Sequence, residues 1–152
     1  TTLATIVKDD INDEVRAAAL TSISRIARKN LCTNPTIIDA LIDAIVPGVD
    51  LVIEIGRSKI PMNRVQQASA LCVLTIVTAA IEAKIIDQPL ERLADVAIEI
   101  AYRGNDRYAV GTAIETAKRL AEAGVNKAIS ATLSILSLDR WTPSPEVPSV
   151  ER

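Results

Sequence analysis

Val15, Ala18, Ala19, Ser22, Ile23 and Ile26 recur at steps of three and four along the chain. That spacing puts one apolar stripe on a helix. Asn34-Pro35 predicts the start of the next helix, with Asn34 as N-cap and Pro35 in the first turn. The pattern carries this helix to about Ile55, with Gly56 as its stop, and Pro47-Gly48 is expected to kink or break it. Pro61 predicts a fourth helix to about Ile86, and Pro89 a fifth to about Arg103, ended by Gly104. Asp106 begins a sixth, ended by Gly124, and Asn126 is expected to cap a seventh to about Leu138. No alternating strand pattern with hairpin turns occurs anywhere. The expected fold class is all-α, with about seven helices in a single domain over residues 1–140. After Trp141, three prolines in "TPSPEVPSVER" predict a disordered or polyproline-like tail over residues 141–152.

The predicted helices pair as first with second, third with fourth and fifth with sixth, leaving the seventh alone. A run of helical hairpins raises the question of a repeat. In "KDDINDEVRAAALTSI", an Asp-rich turn with Asp10 leads to Glu14, Val15, Arg16, paired Ala18 and Ala19, and Ile23. This stretch resembles the second-helix signature of HEAT repeats. "NRVQQASALCVL" follows it loosely through Val65, Ala68, Ser69, Cys72 and Val73, and "VGTAIETA" through Val110, Ala113, Ile114 and Ala117. The three valines lie 50 and 45 residues apart, near the HEAT period of about 40–47. Arg16 becomes Gln66 and then Gly111, so one repeat is clear and two are degenerate. The resemblance implies an α-solenoid of stacked antiparallel hairpins; an irregular helical bundle is the alternative. It also implies a scaffold or adaptor role.

Composition narrows the chemistry. Of 152 residues, 49% are hydrophobic and 24% charged, and the net charge is −2. That describes a folded globular chain without the strong positive charge of a general nucleic-acid coat. There is no histidine and no phenylalanine. The first absence removes Ser-His and Cys-His catalysis and every His-containing metal site. Cys32 and Cys72 form no CxxC, and both are expected to be buried reduced thiols, which suits a cytoplasmic location. The longest uncharged run, Val65–Ile81, has seventeen residues, against about 20 apolar residues for a membrane span. A buried helix with no membrane partner is expected. The sequence begins at Thr1 without a leader pattern and reads as starting inside a helix, as a piece of a longer chain would.

The candidate sites are patches and not catalytic constellations. "GRSK" has one glycine and no preceding strand, so a P-loop is rejected. In a stack of hairpins the turns line one edge. That edge would run from Asp9-Asp10-Asn12-Asp13 to a basic set, Arg57, Lys59, Arg64, Arg103 and Arg107. The set is a candidate for an anion or an acidic partner; the alternative is ordinary solvated turn charge. Asp39, Asp43, Asp50 and Glu54 make one acidic stripe and Glu91, Asp95 and Glu99 another. Both read as solvated faces, with a metal-carboxylate cluster as the remote alternative. The fourth helix is apolar nearly all round, which predicts burial on every side. Gln67, Leu71, Leu74 and Thr78 are the candidate apolar interaction surface, to be covered by the seventh helix, a second copy or another protein. Trp141 is expected to staple the last helix down or to anchor a partner. No catalytic, cofactor or metal residue is assigned. The expected function is non-enzymatic: binding of another protein or a second copy. The alternative is nucleic-acid binding along the basic edge, where Tyr102 and Tyr108 flank Arg103 and Arg107.

Overall fold

The computed structural model describes residues 2–10, 12–55, 63–104 and 106–137. Its regular elements are all helical: α1 (Thr2–Asp9), α2 (Asp13–Asn30), α3 (Ile38–Ile55), α4 (Asn63–Glu82), α5 (Gln88–Arg103), α6 (Arg107–Glu122) and α7 (Asn126–Ser137), with one 3-10 turn over Pro35–Ile37. The all-α expectation therefore holds among the described residues.

Local chemistry explains the boundaries. The Asn12 side chain accepts from the amides of Glu14 and Val15 and opens α2, while Asp106 accepts from the Ala109 amide and opens α6. Both satisfy donors that a helix start leaves bare. Asn34 does not act as expected. Its Oδ1 accepts from Thr36 Oγ1 at 2.6 Å and caps no backbone donor, so Pro35 opens a 3-10 turn before α3. Nor does Pro47 break α3, which runs on through it. Asn126 is the first residue of α7 itself. Val125 holds the cap position, with its carbonyl accepting from Ala128 and Ile129.

The ends of α4 and α6 share one device. Gly124, at φ 93°, donates to Ala121 O while Val125 donates to Leu120 O, each at 3.0 Å. Lys84, at φ 59°, and Ile85 make the same two bonds to Ile81 O and Ala80 O. This is the left-handed helix stop that favours glycine. It ends α4 at Glu82, four residues short of the expected Ile86, and no glycine marks that end in the sequence. Lys84→Gly removes the steric cost of the left-handed backbone and adds unfolded-chain entropy. A net gain of about 0.5–1 kcal/mol is expected in a urea melt.

Packing follows two series. α1, α3, α5 and α7 touch in succession, and so do α2, α4 and α6. Across the series, α1 packs on α2, α3 on α4, α5 on α6, and α6 on α7. Alanines fill the contacts: Ala19, Ala27, Ala70, Ala80, Ala94, Ala97, Ala101, Ala109, Ala113 and Ala117 are all buried. Small side chains let helix axes approach closely, and Leu20, Ile23, Ile42, Ile45, Ile76, Leu93, Ile100 and Leu120 fill the space between. α4 sits centrally, against α2, α3, α5 and α6. Arg64–Glu82 has the length and hydropathy to cross a membrane. Its contacts on four helices are those of a core helix.

Candidate interaction face

Among the described residues, the central helix has one side that no other helix covers. Val65, Gln66, Ser69, Cys72, Val73, Ile76, Val77 and Ala80 are buried, whereas Leu71 is 57% exposed. Leu74, Thr75 and Thr78 are half-buried, and Gln67 is exposed. The expectation of burial on every side is thus corrected. α7 packs on α5 and α6 and lies at the end of the series, so it is not the cover for α4. The four residues of the candidate apolar surface do share this uncovered side. Exposed Thr21 and Arg25 on α2 and half-buried Gly111 and Thr112 on α6 belong to the same series of helices.

A groove marks the C-terminal half of this side. Between α4 and α6 it measures about 540 Å³ and is bordered by Thr78, Ile81, Glu82, Glu115, Arg119 and Glu122. A smaller hollow of about 310 Å³, between Arg28 of α2 and Leu74, Thr75 and Glu82 of α4, adjoins it. Arg119 stands between the two. It donates from Nη1 to Thr78 Oγ1 at 3.2 Å, while its Nε lies 3.6 Å from Glu115. The larger groove holds three carboxylates and one guanidinium, a net local charge of −2. Arg119 has no counterpart among the sequence candidates, because a lone arginine near a helix end carries no distinguishing pattern.

The opposite end carries the starts of α2, α4 and α6. Arg64 Nη1 lies 3.8 Å from Glu14 Oε1, with both side chains largely exposed, a geometry worth little. Arg103 pairs with Glu99 on its own helix at 3.3 Å. Arg107 is exposed at the first turn of α6, and Tyr108 beside it is 65% exposed. Arg57 and Lys59, with Gly56 and Pro61, lie outside the described residues, as does Trp141. Arg64, Arg103 and Arg107 are exposed, and Arg64 and Arg103 face carboxylates.

Beneath this edge is a tie that sequence reasoning missed. Gln66 is fully buried, and its Oε1 accepts from the Asp106 amide at 2.9 Å. Gln67 Nε2 donates to Asp106 Oδ1 at 3.3 Å, and Asp106 Oδ2 accepts from Ala109 N at 2.9 Å. The start of α4 is thereby fastened to the start of α6. The available signal was a glutamine inside an apolar run, on the side that periodicity assigns to the core.

Among the described residues of the acidic stripes, Asp39, Asp43, Glu91 and Asp95 are exposed, Glu99 is half-buried, and several are bridged by cations. Arg92 of α5 reaches across to α3, donating to Asp39 Oδ1 at 3.0 Å and to Asp43 Oδ1 at 2.5 Å. The Asp43 hydrogen bond, more than the charges and the Asp39 bond, raises the Arg92 guanidinium above its ordinary value. Lys127 of α7 lies 3.0 Å from Asp95. The side chains of Asp50 and Glu54 lie outside the described residues. No group of three or more metal-ligating side chains converges among the described residues.

The two thiols differ, against the expectation that both are buried. Cys32 is exposed and Cys72 is buried. Burial raises the Cys72 thiol from 9.0 to about 11, with a Ser24 hydrogen bond opposing the shift. One thiol per native chain is expected to react with a disulfide reagent at pH 8, and two in denaturant. The raised value also predicts that stability is full below about pH 9 and falls as pH rises from 9 to 11, because the unfolded thiol ionises first. A Cys72→Ala variant should lose that alkaline step in urea melts.

Compared with family models, curated proteins and solved structures, the chain matches none.

Proposed function

We propose that the chain is a non-enzymatic interaction module, built as a HEAT-like stack of helical hairpins, that binds another polypeptide through the side shared by α2, α4 and α6. The two series of helix contacts support the stacked-hairpin reading. The observation that carries the functional reading is Leu71, 57% exposed at the middle of the central helix and beside half-buried Leu74. An apolar side chain there gains free energy only when something covers it. A photocrosslinking benzoylphenylalanine at position 71, introduced in cells, should yield protein adducts. The same group at Glu91, on the other series, should yield none. No adduct at position 71 defeats the reading.

Tyr108, 65% exposed beside Arg107, supports a second reading as a nucleic-acid contact. Oligonucleotide binding that weakens steeply with salt would favour it. The carboxylates of Glu14, Glu99 and Asp106 near the same edge weigh against it.

A further inference from the structure

The uncovered side is patterned along its length, and the pattern can be placed by levels. Glu14 contacts Arg64, and Arg28 borders the same hollow as Thr78, so residues fifty positions apart lie level on α2 and α4. Bonds from Gln67 to Asp106 and from Arg119 to Thr78 set α4 against α6 at separations of 39 and 41. Thr21, Leu71 and the Gly111-Thr112 pair therefore form one uncharged band across the three helices. Charge lies on both sides of it. Toward the N-terminal ends stand Glu14 on α2, Arg64 on α4 and Arg107 on α6. Toward the C-terminal ends stand Arg28 on α2, Glu82 on α4 and Glu122 on α6. The three helices run parallel, each carries opposite charges at its two ends, and the order of charge on α2 is the reverse of that on α4 and α6. Arg28, Glu82 and Glu122 have no ion pair among the described residues.

A surface of this kind is complementary to itself when turned end for end. From this we infer that the occupant of the face is a second copy of this chain, packed about a twofold axis that crosses the helices at Thr21, Leu71 and Thr112. The inference rests on the reading of this side as an interaction face. A twofold interface uses one patch twice and must be self-complementary. With the axis at Thr21, Glu14 and Arg28 lie seven residues to either side, so Glu14 of one copy meets Arg28 of the other, twice. Leu71 meets its own equivalent at the centre. Arg64 and Arg107 of the second copy arrive over the groove of Glu82, Glu115 and Glu122, where the local charge is −2. The long, exposed Arg64–Glu14 pair is exchanged for contacts between copies. Three helices about 9 Å apart and about 25 Å long present roughly 650 Å² of projected face, and side-chain relief brings this near the ~800 Å² per partner of a stable interface.

Sedimentation velocity of the purified chain over a hundredfold concentration range tests this. A reversible dimer is expected, abolished by Leu71→Arg. Glu14→Arg and Arg28→Glu should each weaken it tenfold or more, and the double reversal should restore it to within about threefold. In a Cys32→Ser background, Thr21→Cys should be joined to its own copy by a short bismaleimide. A monomer at every concentration overturns the inference. So does a dimer indifferent to Leu71→Arg, or a double reversal that restores nothing. If the purified chain is monomeric while position 71 still crosslinks to another protein in cells, the second copy is wrong and the interaction face stands. If position 71 crosslinks to nothing, both fall.

Discussion

Ile76→Ala is expected to remove about 2–5 kcal/mol of stability, while Leu71→Ala, five residues earlier on the same helix, removes at most about 0.5 kcal/mol. Ile76 is fully buried in the centre of the core, and truncating it leaves a cavity that four packed helices cannot close. Leu71 stands 57% exposed and leaves a gap that water fills. Urea melts of the two variants give the comparison, with midpoints shifting at constant slope. The monomer must be compared, at concentrations below any association, because a bound copy adds stability of its own. Equal losses would mean that α4 is enclosed on all sides and that the interaction face does not exist.

The same helix shows what was legible in the sequence and what was not. Its length and apolar character were plain from Val65 to Ile81, and its central place follows, since a helix with so little polar surface needs many neighbours. Composition could not tell which side stays open. Leu71 and Ile76 are equally apolar, and their fates differ because α2, α3, α5 and α6 close three sides and leave the fourth. Helix starts were read well where a capping side chain announces them, as at Asp106. Stops were read well where glycine does, as at Gly124. The end of α4 was overrun because Lys84 takes the left-handed conformation without being glycine. Pro47 leaves α3 unbroken. A missing donor costs about 3 kcal/mol in an isolated helix, yet α3 gains more from seating Leu41, Ile42, Ile45 and Val49 in the core. The charged turns were legible as charge but not as partners. Arg64 facing Glu14, and Arg92 clasping Asp39 and Asp43, join residues that only tertiary packing brings together.

The buried tie at the head of α4 and α6 carries the second large expectation. Gln66→Ala should cost about 2–4 kcal/mol. Part is the volume of a fully buried side chain. The rest is the Asp106 amide, which loses its 2.9 Å acceptor in a place water does not reach, a cost of about 1–3 kcal/mol. A general core defect would lower stability evenly, so the location of the damage is the sharper readout. Hydrogen exchange at the Asp106 and Ala109 amides should accelerate more than exchange within α2 or α3, because the first turn of α6 loses its anchor. Gln66→Glu separates volume from hydrogen bonding. It keeps the acceptor and the size but places a carboxyl in a buried site next to the Asp106 carboxylate. Burial and the neighbouring charge raise its folded value above the unfolded ~4.3. Its deficit should therefore be small at pH 4 and grow as pH rises through the unfolded value and beyond. A Gln66→Glu variant as stable as wild type at pH 7 would show that the site is open to water and that Gln66 does not fasten α4 to α6.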